Sequence, residues 1–184
     1  MPMYINFYYA TEASTMATVT IPASLYKKLA EKGVDVESLV VELLLRQLNF
    51  DPSDVAEIHA ELAEKFLEEG KALLDKDPVQ ASEKLYKAAE EAVKAAAYRL
   101  GLSEVINRVE ERGRWTVTDL EKAARAAARV LGEDFYVGWD RANYLHVWGF
   151  HEAKLDPDAV RERIPHVERV VELAKSTLGK PQKR

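Results

Sequence analysis

The chain has 184 residues, of which 47% are hydrophobic and 31% charged, which suits one main folded domain with a small appendage. It contains no cysteine, so disulfides, thiolate nucleophiles and cysteine-ligated zinc are excluded, and a cytoplasmic protein is the natural expectation. A formal net charge of -5 argues against a surface that coats nucleic acid and leaves room only for a local basic patch.

Residues 1–48 are predicted to form an N-terminal arm with a strand-helix-helix dimerisation element. The apolar opening, residues 1–15, lacks a basic region and is too short to span a bilayer, so neither a signal peptide nor a membrane anchor is predicted. Alternation over 17–21 predicts a strand, and helices are predicted over 23–31 and 36–48, with Gly33 ending the first.

This order is similar to that of the ribbon-helix-helix family, which would imply DNA binding through residues 17–48 of a homodimer. The strand of that family usually carries basic or amide side chains. Here the strand is followed by acidic residues instead, namely Glu31, Asp35, Glu37 and Glu42. Dimerisation or docking is therefore preferred to DNA binding for this element.

Residues 52–178 are predicted to form an all-α, up-and-down antiparallel helical bundle. Asp-Pro pairs predict helix starts at 52, 78 and 157, since Asp accepts backbone N–H groups and Pro suits the first helical position. Further helices are predicted over 103–112, from a capping box of Thr118 and Glu121 to 131, and from 133 to about 148. Pro165 predicts a kink or a fresh start in the last helix. The basic end, 179–184, is expected to fray.

Basic side chains gather between residues 108 and 129, at Arg108, Arg112, Arg114, Lys122, Arg125 and Arg129. They are the best candidate for a basic patch. Neighbouring glutamates favour the simpler interpretation of a solvated helix face.

The stretch from Phe135 to Glu152 holds two of the three tryptophans and two of the four histidines. At 100° per residue, His146 falls on the same face as Trp139, so a buried core histidine is one interpretation. A metal site is not predicted, because no HExxH motif or i, i+4 histidine pair occurs. No cofactor fingerprint is present either.

The bundle contains three distinctive features: the segment LYKAAEEAVKAAA, the loop at Trp115, and W-x2-A-x2-LH-x2-GFHE from Trp139 to Glu152. Together they resemble the PaREP repeat family of archaeal proteins. The resemblance covers roughly residues 55–178. That family is counted among HEPN-like helical bundles and has no firmly assigned activity. A high charge with few thermolabile residues fits a thermophile source.

Many HEPN proteins are metal-independent ribonucleases that use an Arg-x4-6-His motif across a dimer. Arg141 and His146 match that spacing, so the resemblance implies a phosphate-binding arginine and a histidine base, with Asn143 as an orienting group. The spacing alone is weak, since roughly one match is expected by chance, and Arg161 and His166 have the same separation.

The sequence is therefore compatible with two functions. The preferred one is a noncatalytic, dimeric binding module for a nucleotide, nucleic acid or protein partner, in which the stretch 139–152, with Trp139, His151 and Glu152, belongs to the core or the interface. The alternative is a metal-independent endoribonuclease of toxin or defence type that uses Arg141 and His146.

Overall fold

The computed structural model describes residues 18–32 and 35–178, and every regular element within those ranges is helical. The predicted all-α helical bundle is confirmed. The predictions for the arm at 1–15, the Gly33 turn and the tail at 179–184 lie outside the described residues. The chain divides into two compact units, 1–47 and 48–184.

α1 spans Ala23–Ala30 in the first unit, and α2 spans Val36–Leu48, so that its last residue is the first of the second unit. The sequence predicts both helices. The predicted strand is not observed, because residues 18–22 have no regular secondary structure. A strand needs a neighbour to pair its backbone groups. None of the other residues described in the chain supplies one.

The second unit holds two long helices, several shorter ones and one π-helical segment. Their bounds are α3 Pro52–Leu73, α4 Pro78–Arg99, α5 Ser103–Arg112, α6 Val117–Leu131, α7 Glu133–Tyr144, the π-helix Leu145–His151, α8 Pro157–Arg161 and α9 Ile164–Lys175.

The Asp-Pro pairs predict the helix starts correctly. Asp77 and Asp156 each accept a backbone N–H three residues on, at 3.0 and 2.7 Å, whereas Asp51 makes no such bond although α3 begins at Pro52. Pro165 gives the fresh start that the sequence predicts, since α8 ends at Arg161 and α9 begins at Ile164.

The cap of α6 differs from the prediction. The capping box is formed by Thr116 and Asp119 rather than by Thr118 and Glu121, and α6 begins one residue before Thr118. Asp119 accepts from both the backbone N–H and the hydroxyl of Thr116, and it also binds Arg112 of α5. The extra ion pair stabilises the earlier cap and leaves Glu121 free for another role.

The core of the second unit is organised around α4. This helix contacts α3, α6, α7, the π-helix, α8 and α9, and it is buried almost throughout from Ala81 to Ala97. Alanine at seven of those positions lets neighbouring helices approach closely on several sides. The α3 and α4 helices run antiparallel, because Glu69 pairs with Lys84 while His59 pairs with Glu91.

An ion network lies buried along α4. The Glu91 carboxylate is 2.6 Å from His59 Nδ1 and 2.8 Å from Lys94 Nζ, and Lys94 also pairs with Glu90 at 3.0 Å. Burial alone would raise the pKa of the Glu91 carboxyl, but attraction to Lys94 and His59 outweighs burial and holds that pKa well below its usual range. The buried Glu91 carboxylate is therefore stabilised in its ionised form by its neighbours.

Candidate functional site

The helix through the aromatic stretch ends earlier than predicted and continues as a π-helix. α7 stops at Tyr144, and Leu145–His151 is π-helical; at its end the Glu152 N–H donates to the Val147 carbonyl, with 2.9 Å from N to O. Residues five apart are about 140° apart on an α-helix, but the i→i+5 bonding of a π-helix places them on one face. The π-helix therefore changes which side chains meet.

Gly149 lets the π-helix pack directly against α4. A Cβ atom at position 149 would lie only 2.6 Å from Cβ of Ser82, which is itself held by a hydrogen bond from its hydroxyl to the Pro78 carbonyl. A larger side chain would push the two elements apart. The close packing brings the π-helix to the first two turns of α4.

The His146 imidazole lies between a carboxylate and a second imidazole. Its Nδ1 is 2.7 Å from Oε2 of Glu83 on α4, and its Nε2 is 3.0 Å from Nε2 of His151. Its ring stacks on Tyr86, with 4.1 Å between centroids. The side chain is 24% exposed, so His146 is not the fully buried core histidine that its position on the apolar face suggested.

The carboxylate fixes the arrangement of protons. An ionised Glu83 only accepts hydrogen bonds, so Nδ1 of His146 carries a proton and donates it. In the neutral ring this leaves a lone pair on Nε2, which accepts from His151. Burial, and then the Glu90 and Glu83 carboxylates, raise the pKa of the Tyr86 phenol, so the stacked ring stays neutral. The basic atom of the cluster is Nε2 of His146.

The other predicted site residues are placed apart from this cluster. Arg141 is exposed and makes no hydrogen bond or ion pair to any residue that the structure describes. The Asn143 amide donates to the Trp139 carbonyl at 3.1 Å, one turn back on its own helix. Glu152 is exposed and caps the π-helix. The single chain thus joins His146 to His151 but brings neither Arg141 nor Asn143 to them.

Trp139 is fully buried and is held by a carboxylate on α6. Its Nε1–H donates to Glu121 at 2.9 Å, and the Tyr136 hydroxyl donates to the same carboxylate at 2.6 Å. Burial opposes ionisation of Glu121, but hydrogen bonds from Tyr136, Trp139 and Arg125 outweigh it and lower the pKa of that carboxyl. Glu121 is therefore a structural anchor for α7, and Trp139 belongs to the core rather than to an exposed surface.

A second feature is a cavity of about 400 Å³ between α5 and α6. Its lining includes four of the six clustered basic side chains, Arg108, Lys122, Arg125 and Arg129, together with Glu104. The other two basic residues lie outside it: Arg112 binds Asp119, and Arg114 is exposed. The lining carries a net positive charge.

Arg108 has unused hydrogen-bonding capacity in this cavity. Its Nε and Nη2 atoms are buried and donate to no described residue, and its ion pairs are a 3.4 Å contact with Glu104 and a 3.9 Å contact with Asp119. Buried guanidinium N–H groups are normally satisfied by an acceptor. An anion in the cavity would reach these two atoms only after the side chains that cover them had moved.

The first turn of α5 also lines the cavity. Gly101 adopts a left-handed conformation, with φ of +64°, and turns the chain from α4 into α5. α5 begins at Ser103 with no side-chain cap, and Glu104 is the acidic residue of its first turn. The positive end of the helix dipole therefore already has one carboxylate beside it, and it favours negative charge at this end of the cavity.

Several of these residues escape prediction because their partners are distant in sequence. Glu83 and Tyr86 are about sixty residues before His146, and no local pattern distinguishes them from other residues of α4. The basic stripe did give a signal, since Lys122, Arg125 and Arg129 recur at helical spacing. The pattern could not show that α5 packs beside these basic residues and forms the other side of the cavity.

Among the helices described, none combines the length and apolar character that crossing a bilayer requires.

Comparison with known proteins gives a family and a fold. The model of a family described as archaeal PaREP1/PaREP8 matches residues 58–171. The crystal structure of a Sulfolobus solfataricus protein is 38% identical, covers 65% of this chain and 98% of its own, and has a TM-score of 0.61. The solution structure of the same structural-genomics target is also 38% identical, covers 67% and 91%, and has a TM-score of 0.52. No curated protein matches.

Proposed function

The chain belongs to the archaeal PaREP1/PaREP8 family, and the name of that family assigns no activity. From the geometry of the chain we propose that it is a noncatalytic helical module that binds a phosphate-bearing ligand of nucleotide size. The observation that carries this proposal is the α5–α6 cavity with its four basic side chains. A volume of about 400 Å³ lies within the range of small-molecule sites.

The chemistry of the lining supports binding rather than catalysis. Arg108 lines the cavity and its Nε and Nη2 atoms have no hydrogen-bond acceptor among the described residues, and guanidinium groups match phosphate oxygens in pairs. Lys122 and Arg129 are exposed and have no ion-pair partner among the described residues, so both can turn toward a ligand. The lining residues do not include the groups that carry acid–base or nucleophilic chemistry, namely cysteine, histidine, a serine–histidine pair or paired carboxylates.

Glu104 is the one acidic side chain of the lining, and it pairs with Arg108 at 3.4 Å. It is almost fully exposed, so it can swing into solvent when an anion enters. The ligand thus replaces a long surface ion pair, which contributes at most about 1 kcal/mol.

The test is calorimetric titration with pyrophosphate, AMP, ATP and a short single-stranded RNA. ATP or pyrophosphate should bind with an affinity that falls as salt rises. The double variant Lys122→Ala, Arg129→Ala should bind at least tenfold more weakly. The double variant Arg114→Ala, Lys154→Ala also removes two exposed positive charges, but both lie outside the cavity, so it should bind as the wild type does. Absence of binding, or equal loss in both variants, would defeat the proposal. Binding of RNA alone would shift it to nucleic acid.

A second candidate function, the metal-independent endoribonuclease, is favoured by one observation. Nδ1 of His146 is held by Glu83, which orients the ring and leaves Nε2 as a base at a partly exposed position. Arg141 is exposed and has no hydrogen-bond or ion-pair partner among the described residues, so its side chain is available to a site that a second chain completes. This version requires the HEPN-like arrangement and the homodimer that the family resemblance implies.

The nuclease is tested by incubating mixed RNA with the protein in EDTA. Arg141→Ala should abolish cleavage, because it removes the arginine that would bind the phosphate. Arg114→Ala also removes an exposed arginine, but one outside the motif, so it is the matched control and should cleave as the wild type does. His146→Ala should also be inactive. Cleavage that survives in Arg141→Ala and His146→Ala, or its absence in the wild type, removes this candidate. Sedimentation equilibrium on the same samples measures whether the chain is a dimer.

A further inference from the structure

The π-helix places two imidazole nitrogens at one point near the start of α4. Nε2 of His146 and Nε2 of His151 are 3.0 Å apart, and the two rings are nearly perpendicular, at 77°. Neither atom is used by the α5–α6 cavity. We propose that His146 and His151 form a binding site for a divalent transition-metal ion of the zinc class, with both Nε2 atoms as ligands. Binding requires the proton on Nε2 of His151 to leave, through exchange with solvent, and Nδ1 of the same ring to take one up, so that both Nε2 atoms offer a lone pair.

The separation of the nitrogens suits such an ion. Zinc binds histidine nitrogen at about 2.0–2.1 Å in tetrahedral geometry, which places two nitrogen ligands about 3.3 Å apart. The two nitrogens are 3.0 Å apart, so a few tenths of an ångström of side-chain movement would bring them to that separation. His151 is exposed, so its ring has room for this adjustment.

Glu83 prepares His146 for metal binding. By accepting the Nδ1–H at 2.7 Å it selects the tautomer whose free lone pair is on Nε2, the atom that faces His151. A carboxylate on the second nitrogen of a histidine ligand is the common outer partner in zinc sites, where it orients the ring and raises its basicity. Stacking of His146 on Tyr86 holds the ring plane from the other side.

The class of ion follows from the donors. Imidazole nitrogens suit zinc, copper and nickel, whereas calcium and magnesium prefer oxygen. Within the part of the chain that the structure describes, no third histidine or carboxylate converges on the pair, so the remaining positions of the ion face solvent. The site would therefore hold the ion with open positions for water or another ligand.

This site is separate from the proposed phosphate-binding cavity. Glu83 lies in the second turn of α4, while the cavity begins at Gly101, just beyond its other end. The sixteen residues from Glu83 to Arg99 correspond to about 24 Å of helix rise. Loss of one binding activity would leave the other measurable.

The test is titration of the full, metal-free chain with ZnCl2, followed by calorimetry and by NMR of the imidazole nitrogens. We expect one equivalent of zinc to bind and to shift Nε2 of His146 and His151. His151→Ala, an exposed substitution, should bind zinc at least tenfold more weakly. Glu83→Gln should lower the affinity by about 10–100-fold, as for other outer partners of histidine ligands.

His166→Ala is the matched control, because it removes an exposed imidazole from α9 and should leave zinc binding unchanged. Thermal unfolding of each variant without metal separates loss of the site from loss of the fold. Failure of the wild type to bind zinc, equal affinity in His151→Ala, or shifts confined to His59 or His166 would overturn the proposal.

Discussion

Gly138 on α7 lies against the backbone of His166 on α9, so closely that a Cβ atom at position 138 would be 2.5 Å from the His166 carbonyl oxygen. It would lie closer still to Cγ2 of Val170, which is fully buried. A glycine inside a helix normally costs about 1 kcal/mol relative to alanine. Here the glycine is required because the two helices pack backbone to backbone.

We therefore expect Gly138→Ala to destabilise the protein, although alanine favours the helix. Because the clash is with backbone and with a buried valine, neither neighbour can move aside, and overpacking of this kind costs about 1–3 kcal/mol. Urea unfolding measures the change. Arg141→Ala is the control, because it introduces alanine at an exposed position of the same helix. A stability of Gly138→Ala equal to or above that of Arg141→Ala would contradict this packing.

Glu121→Ala should loosen α7 from α6. The substitution leaves the buried Trp139 Nε1–H and the Tyr136 hydroxyl without their acceptor, and an unsatisfied buried donor costs about 1–3 kcal/mol. Thermal unfolding and tryptophan fluorescence should both change. Glu110→Ala removes an exposed glutamate from α5 and should change neither. If the two variants unfold alike, Glu121 is not an anchor.

The helices of the bundle are largely predictable because their signals are local. Asp77 and Pro78 act on the same helix end that they identify, and Pro165 disrupts the chain where it stands. The cap of α6 shows the limit of this logic. Thr118 and Glu121 have the spacing of a capping box, but Arg112 from the preceding helix stabilises the competing box of Thr116 and Asp119.

The candidate sites were less predictable, because each joins residues that are distant in sequence. The pairing of His146 with His151 depends on a π-helix, and a π-helix forms where tertiary packing stabilises it, here through Gly149 against Ser82. At α-helical geometry the same two residues would point about 140° apart. The Arg141–His146 spacing, by contrast, satisfied a local motif without producing a contact in the chain.

Lys94→Met should be among the most destabilising single substitutions in α4. Lys94 is 3% exposed and lies between two buried carboxylates, Glu90 and Glu91. Removing one partner of a buried ion pair costs about 3–5 kcal/mol, since the remaining charge is uncompensated. Lys84→Met, which removes a half-exposed pair with Glu69, should cost about 0–1 kcal/mol.

Combining Lys94→Met with Glu91→Gln distinguishes charge from packing. If uncompensated charge is the cause, neutralising Glu91 should restore part of the lost stability in urea unfolding. No recovery in the double variant would instead assign the loss to the methionine side chain.

The same network predicts how stability depends on pH. The pKa of Glu91 is lowered in the folded protein, because attraction to Lys94 and His59 outweighs burial, and the pKa of Glu90 is lowered in the same direction by Lys94 and Lys87. In the unfolded chain both carboxyls titrate near pH 4.3. Below that pH the unfolded state binds more protons than the folded state, so the stabilisation is complete above about pH 5 and is lost as the pH falls further.

Urea unfolding of the wild type between pH 7 and pH 3 should therefore show a free energy of unfolding that declines steeply at the acid end. Glu91→Gln removes one of the carboxyls with a lowered pKa, so its decline should be shallower, although its stability at pH 7 should be lower. Glu110→Gln changes an exposed carboxyl and should retain the wild-type slope. Parallel pH profiles for Glu91→Gln and the wild type would show that Glu91 is not ionised against Lys94 and His59 in the folded state.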